Sequence, residues 1–568
     1  MKRNVLKKRF FRELKSEFGK YLVIFLFLIG AIGFVSGFLV ASNSMLAAYD
    51  ESFTKYRVED GNFELSASAE ETLQDALEKE GLTLYENFYL TGEVAETGAK
   101  LRIFKNRKEV NLVCLMEGAL PEATNEIAID RMHADNNSLS VGDILTVDGK
   151  TLKISGLVAL SDYSSLYEKP SDMMFDATKF GVAVMTEEGF AGMGDTHLHY
   201  SYSWTYDTPP ESEKAENDRA EEVLALLMES AVRTGNAPVN FLPAVSNLAI
   251  QFVGDDMGRD NKMMAVFLYI IIAILAFVFA ITISNTITKE ALVIGTLRAS
   301  GYTKGELIRH YLALPMTVVA VAAVVGNVLG YTVFKEVAAK MYYNSYSLPA
   351  FETLWNADAF VRTTVIPVVM MFVINLAMLV RKLSLSPLRF IRRDLSRGKK
   401  KKALRLNSKM SLMTRFRLRI LLQNMPNYIT ILVGVFFANV LLLFGFVLPP
   451  LVDHYEKDIT SNLIAEYQYV LKAPAETAEA EAEKYSVVAL QTVAGKLRSE
   501  EVMVYGVAED SFYVEEEFGE GVLISTAYAG KHGLDIGDSI TLEESFGEET
   551  YTFPVSGVYD YPAAFACV

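Results

Sequence analysis

Six histidines, two cysteines and 70 acidic residues are the side chains with which this 568-residue chain could do chemistry. His197 and His199 stand two apart, so in a strand they share one face and could share a metal ion. Asp195 is the nearest third ligand, and no H-E-x-x-H pattern supports it. Solvent-facing histidines explain the pair as well, and no metal site is assigned. No Ser-His-Asp arrangement stands out. G-x-x-x-x-G-K-[ST] is absent, so any nucleotide hydrolysis must come from a separate chain. Cys114 and Cys567 are too few for a disulfide framework or a Cys-rich metal site, and the sequence leaves their pairing open. The chain is therefore expected to be no enzyme, with no catalytic residues and no cofactor of its own.

The elements that position side chains follow from how charge and hydropathy are distributed. The chain is 51% hydrophobic yet 22% charged, with a mean hydropathy of +0.20. Five charge-free apolar runs are long enough to cross a bilayer: 21–42, 263–286, 311–334, 363–380 and 428–450. The first is too long for a cleaved signal segment, and no clear A-x-A site follows it. Residues 1–20, 287–310 and 381–427 together carry a net charge of +22, leaving −38 of the total −16 elsewhere. Basic segments stay in the cytoplasm. The expected topology has five crossings, a cytoplasmic N-terminus and an amphipathic cytoplasmic helix over 1–20. A coupling segment over 287–310 and a basic linker over 381–427 are also cytoplasmic, while 43–262, 335–362 and 451–568 lie outside. The Arg397-Gly-Lys-Lys-Lys-Lys402 run, placed between two spans, points to anionic membrane lipid and not to nucleic acid. The fold class is a multi-pass α-helical membrane protein with mixed α/β extracytoplasmic domains.

Within 43–262, residues 125–130, 144–147 and 152–158 read as strands between Gly and Asp turns. Over 198–206, Leu198, Tyr200, Tyr202, Trp204 and Tyr206 alternate with His199, Ser201, Ser203 and Thr205. The aromatic stripe is either sheet core or a ligand platform. A helix fits 211–233, opened by Pro209-Pro210 and closed by Gly235. An internal repeat is also visible. Leu139-Ser-Val-Gly-Asp-Ile144 recurs as Leu534-Asp-Ile-Gly-Asp-Ser539, and Ile154-Ser-Gly-Leu-Val158 as Val555-Ser-Gly-Val-Tyr559. The second copy is the shorter, which leads us to expect a C-terminally incomplete two-repeat protein.

Inside the spans, Gly33 and Gly37, and Gly326 and Gly330, form G-x-x-x-G pairs that permit close helix approach, within one bundle or between two chains. Asn327, Asn375 and Asn439 are the polar residues that could bond neighbouring helices or line a path. No Asp, Glu, Lys or Arg lies in the five runs, which disfavours ion-coupled transport and fits an external energy source.

Between the second and third spans stands Leu292-Val-Ile-Gly-Thr-Leu-Arg-Ala-Ser-Gly-Tyr-Thr-Lys-Gly-Glu-Leu307. This stretch resembles the motif that follows the second span in the FtsX-like permease family of ABC transporters. Leu292-Val293 replaces the usual Glu, and Ser300 an apolar residue. Gly118-Ala-Leu-Pro121, Val141-Gly-Asp143 and Ile154-Ser-Gly156 are similar to a MacB-type outer domain, and Ser386-Pro-Leu-Arg389 to the family's exit from its bundle. The resemblance implies a bacterial plasma-membrane permease subunit that binds a cytoplasmic ABC ATPase dimer, where ATP and Mg would reside. ATP-driven motion would move its outer domains, exporting an amphiphile, peptide or lipoprotein, or transmitting force to an extracytoplasmic protein partner. Ile294, Gly295, Leu297, Arg298, Gly301, Tyr302, Lys304 and Glu306 would couple to the ATPase. The alternative is a membrane sensor or regulator of a cell-envelope partner that transports nothing.

Overall fold

The computed structural model describes residues 4–393 except 170, 171, 173, 195, 196 and 237. It then describes 395, 411–423, 425–462, 465, 467–469, 471, 475–477, 482–493, 501–508, 511, 513, 521–544 and 549–560. The chain divides into two compact units, Met1–Lys401 and Lys402–Val568.

The first unit begins with α1 (Asn4–Ser16) and α2 (Phe18–Lys55). An α/β domain follows. Its strands are β1 (Gly61–Leu65), β2 (Leu82–Glu86), β3 (Tyr89–Glu93), β4 (Lys100–Lys105), β5 (Val113–Gly118), β6 (Glu126–Asp130), β7 (Ile144–Val147), β8 (Lys150–Leu160), β9 (Phe180–Met185), β10 (Leu198–Tyr206) and β11 (Pro238–Pro243). The strand order is β11-β1-β10-β3-β4-β9-β6-β8-β5, with β2 also on β10 and β7 also on β8. Helices α3 (Glu71–Lys79), α4 (Arg131–Asn136), α5 (Glu187–Met193) and α6 (Glu213–Thr234) intervene. Ser212 caps α6, and Gly235 ends it in the left-handed conformation, φ +75°.

Long strand β10 is the seam of this sheet. Its start pairs with β3, while its later residues pair with β1 on one side and β2 on the other. The aromatic stripe is core: Tyr202 and Trp204 are buried with Phe63, Leu73, Leu77, Val223 and Leu227. Trp204 lies over Gly61, its partner across the ladder, where a Cβ would collide with the indole. Trp204→Ala is expected to destabilise this domain by about 3–5 kcal/mol. Denaturant titration of the full chain in detergent, read by limited proteolysis of the domain, checks it.

Among the described residues, four helices are long and apolar enough to cross a membrane: Tyr21–Lys55 within α2, Leu248–Lys289 (α7), Lys304–Ser345 and Ala357–Leu383. Between the second and third comes α8 (Ala291–Ala299). The third comprises α9 (Lys304–Leu329), a π-helical turn (Gly330–Phe334) and α10 (Lys335–Ser345). The fourth comprises α11 (Ala357–Phe360), a second π-turn (Val361–Val365) and α12 (Ile366–Leu383), followed by α13 (Pro387–Ile391). Two stretches expected outside the spans, the end of the outer domain 43–262 and the start of the outer loop 335–362, continue the spanning helices instead. Residues 248–262 are the first turns of α7, and 335–345 form α10. Charges at Asp255, Asp256, Lys335 and Glu336 exclude these turns from hydrocarbon, but they do not stop a helix. The polar extensions also bond each other, with Tyr342 and Tyr346 donating to Asp260 and Asp256 at 3.0 and 2.7 Å.

The second unit contains α14 (Leu412–Gln423), α15 (Met425–Phe446), α16 (Leu448–Ser461), α17 (Thr526–His532) and strands β12 (Ser486–Thr492), β13 (Glu501–Gly506), β14 (Val522–Ser525), β15 (Ser539–Glu544) and β16 (Thr550–Tyr559). Helix α15 covers most of the fifth expected crossing; its described apolar stretch is the shorter Ile431–Val440. Strand order is β13-β12-β15-β16-β14.

One local arrangement occurs in both units, as β6-α4-β7-β8 and as β14-α17-β15-β16. In each, the first strand runs parallel to the last, with a register shift at its start. The Gly-Asp turn is tied identically. Gly142 and Gly537 donate to the carbonyls of Ile154 and Val555, and Ile154 and Val555 donate back to Asp143 and Asp538. Asp143 and Asp538 also accept from the amides of Ser140 and Asp535 at 2.8 Å in both.

Candidate functional site

At the end of the bundle that carries the basic residues, α8 forms a short hairpin between α7 and α9. Gly301 turns it at φ +94°, a conformation that favours glycine. Thr303 and Glu306 then start α9 with a reciprocal capping box. One face of α8 is buried. Ala291 and Ile294 sit in a core with Ile287, Leu307, Leu379, Leu383 and Phe390. Gly295 lies against α13, where a Cβ would stand 2.8 Å from Ile391 Cγ1 and 3.0 Å from its backbone nitrogen. Arg298 donates to the carbonyls of Leu383 and Leu385, closing the last turn of α12.

The eight residues expected to couple therefore divide. Ile294, Gly295, Arg298, Gly301 and Glu306 shape and brace the hairpin. Leu297 and Tyr302 are half-buried, and Lys304 is exposed. The exposed face consists of Leu292, Val293, Thr296, Ala299 and Ser300. Leu292 and Val293 are large apolar side chains, 48% and 39% exposed. Leu292 and Val293 stand in the motif where it departs from the family's pattern, and their i, i+3, i+4 spacing groups them with Thr296 on one helix face.

Helix α1 is clamped to the same hairpin. Arg9 bridges Glu13 and Glu290, the latter at 2.7 Å, and His310 meets Glu13 at 3.3 Å. Tyr311 donates to Glu290 at 2.5 Å, and Lys289 pairs with Glu17 at 3.3 Å. Burial opposes ionisation of Glu13, but hydrogen bonds from His310 and Arg9 outweigh it and hold its carboxyl below the ordinary value.

Both glycine pairs meet inside one bundle. A Cβ on Gly37 would lie 2.5 Å from Phe334 Cβ, and one on Gly330 would lie 2.9 Å from Ser36 Cβ. Asn327 ties three helices: its Oδ1 accepts from Ser36 at 3.0 Å, and its Nδ2 donates to Thr364 at 2.6 Å. Asn375 is buried and donates to the Met371 carbonyl, while Asn439 is exposed in the second unit.

At the far end of α10 the bundle is pinned to the α/β domain. Ser347 donates to Asp130, and Arg131 donates to the carbonyls of Tyr343 and Tyr346 at 2.9 and 2.7 Å. Burial pushes the Asp130 carboxyl up to about 6, although Ser347 and the His133 amide favour its ionised form. The unfolded value is about 3.9, so the folded chain holds more protons between about pH 4 and 6. This group's contribution to stability therefore falls as pH rises through that window and is flat above it. Asp130→Asn removes the titration. The stability of the natural chain relative to this variant should improve on the order of 2 kcal/mol from about pH 7 to about pH 4. Thermal unfolding of both proteins across that range is the check, and a constant difference would contradict it.

Of the two neighbouring histidines, His199 hydrogen bonds Glu64 at 2.8 Å and stacks on Tyr89 at 4.5 Å, and His197 is exposed. Asp195 and Cys567 lie outside the described residues, and Cys114 is a buried free thiol. Among the described residues no three His, Cys, Asp or Glu side chains gather as metal ligands.

Residues 265–391 match the family model of the FtsX-like permease C-terminal domain. The matched stretch covers most of α7, the whole hairpin and the helices through α13. No curated protein matches the chain. Residues 265–391 thus form an FtsX-like permease domain, in a chain whose described residues include four helices long and apolar enough to cross a membrane.

Proposed function

We infer that the chain converts ATP hydrolysis by a separate cytoplasmic ABC ATPase dimer into movement of its α/β domains on the outer side of a bacterial plasma membrane. The observation carrying this reading is the hairpin: a braced, buried frame that presents Leu292, Val293, Thr296 and Ala299 outward at the basic end of the bundle. An amphipathic face of this kind suits a groove on a partner. Helix α9 and its continuation α10 run from the hairpin to the pin at Asp130 and Arg131, so displacement of one end reaches the α/β domain through packed helix. ATP and Mg reside in the partner, and the chain is not itself catalytic. The motion serves export of an amphiphile, peptide or lipoprotein, or acts on a protein partner outside. Purification from native membranes in mild detergent tests the reading. The expected result is a retained subunit that hydrolyses ATP; a chain that purifies consistently without one contradicts it and favours the sensor.

A further inference from the structure

The α/β domain holds a cavity of about 650 Å³ on the polar face of the sheet, opposite the aromatic core. Strands β1, β3, β4, β10 and β11 form its floor. Tyr163, Tyr167 and the first residues of α7, Asn247–Ala249, also line it. The two ends of the cavity differ in charge. At one end the Arg102 guanidinium lies over the rings of Tyr89 and Phe180 at 4.5 and 5.4 Å. It donates to the Tyr163 hydroxyl at 2.5 Å and the Glu168 carbonyl at 2.9 Å. Among the described residues it forms no ion pair, and its buried Nε has no partner. Nearby Glu64, which accepts from His199 and Tyr89, is close enough to share its charge with Arg102, Glu168 is engaged by Lys100, and exposed Lys169 adds a second cation at the rim.

At the other end stands Glu59, 3% exposed. It accepts from Asn62, Asn111 and Ser203, all neutral donors, and among the described residues no cation pairs with it. The neighbouring Asp162 is already neutralised by Arg107 at 2.7 Å. The sheet register sets the distance between the ends. The Arg102 guanidinium lies over Tyr89, which is level with His199 on β10, whereas Glu59 bonds Ser203 four residues further on. At about 3.3 Å per residue that is about 13 Å. A buried carboxylate with neutral donors alone is costly without a counter-charge, and at the other end Lys169 and the unpartnered Nε of Arg102 leave donors for an anion.

We propose that this cavity binds a short peptide of three to four residues with free termini. Its carboxylate lies on Arg102 and Lys169, its ammonium at Glu59, and its side chains lie against Tyr89, Phe104, Tyr163 and Tyr167. An extended tripeptide or tetrapeptide spans about 10–14 Å, which matches the separation. The bidentate fork of arginine suits a carboxylate. A peptide there touches the first turn of α7, the helix that continues to the coupling hairpin.

Calorimetry on the purified full chain in detergent, without any ATPase, tests binding separately from the coupling reading. The probes are trialanine, N-acetyl-trialanine and trialanine amide. Trialanine is expected to bind saturably, and blocking either terminus should weaken binding at least tenfold. In Glu59→Gln the acetyl penalty should disappear while the amide penalty stays. In Lys169→Ala, a change at an exposed rim residue, the amide penalty should shrink. Absence of saturable trialanine binding at millimolar concentration, or equal binding of the blocked peptides to the natural chain, overturns the proposal.

Discussion

Gly37→Val is expected to abolish assembly of the helix bundle, lowering the yield of folded, detergent-extractable protein at least tenfold. A Cβ at this position would stand 2.5 Å from the Cβ of Phe334, 2.7 Å from its carbonyl carbon and 2.8 Å from the backbone nitrogen of Lys335. Two of these three atoms are main chain, so no rotamer change relieves the clash; α2 and the π-turn before α10 must separate. Separation strips partners from the neighbouring Ser36–Asn327 bond and from the Gly33 and Gly330 contacts. Lipid tails offer no hydrophobic penalty for such separation, so close packing is what holds the helices together. Gly30 supplies the control, because a Cβ there meets nothing within 4 Å. Gly30→Val should leave yield and melting behaviour near those of the natural chain. Size-exclusion profiles of the two variants are the measurement, and equal profiles would show that the close approach of α2 is dispensable.

The double change Leu292→Asp with Val293→Asp is expected to release the ATPase subunit, weakening its association at least tenfold while the chain itself stays folded. Both side chains are already exposed, so two carboxylates there cost little within the chain. In an apolar groove on a partner, the same carboxylates would be desolvated without counter-charges. Arg298→Glu is a poor substitute for this test. Arg298 holds the carbonyls of Leu383 and Leu385, and its replacement disturbs the end of α12 whether or not a partner is present. Retained ATPase in the double variant, with an unchanged melting temperature, would remove α8 from the contact.

The elements legible in the sequence were those whose signals are local. The period-two alternation of 198–206 predicted β10 and its buried stripe because one sheet face is covered by α3 and α6. Gly235 and Ser212 bound α6 within two residues of the expected helix. The hairpin was recognisable from the Leu292–Leu307 motif, with Gly301 at its turn. Three things were not legible, each because its cause lies far along the chain. The polar turns of α7 and α10 fall in the expected outer domain and outer loop until Tyr342 and Tyr346 are seen to bond Asp260 and Asp256. His199 looks like half of a metal pair until Glu64, on another strand, takes its nitrogen. Arg298 looks like a surface charge in a coupling motif until α12 ends beneath it. The glycine pairs left two readings open, and the contacts of Phe334 with Gly33 and Gly37 place them within the bundle.

The reading of α8 as the surface that receives ATP-driven motion is tested most directly by site-specific photo-crosslinking in intact cells. A photoreactive residue replaces Thr296, on the exposed face of α8, and in a second protein replaces Val232, on the exposed side of α6 in the α/β domain. The account predicts that position 296 captures an ATP-binding subunit from the cytoplasm and position 232 does not. Capture of that subunit at position 232, or its absence at position 296 while the ATPase still co-purifies with the chain, would contradict it.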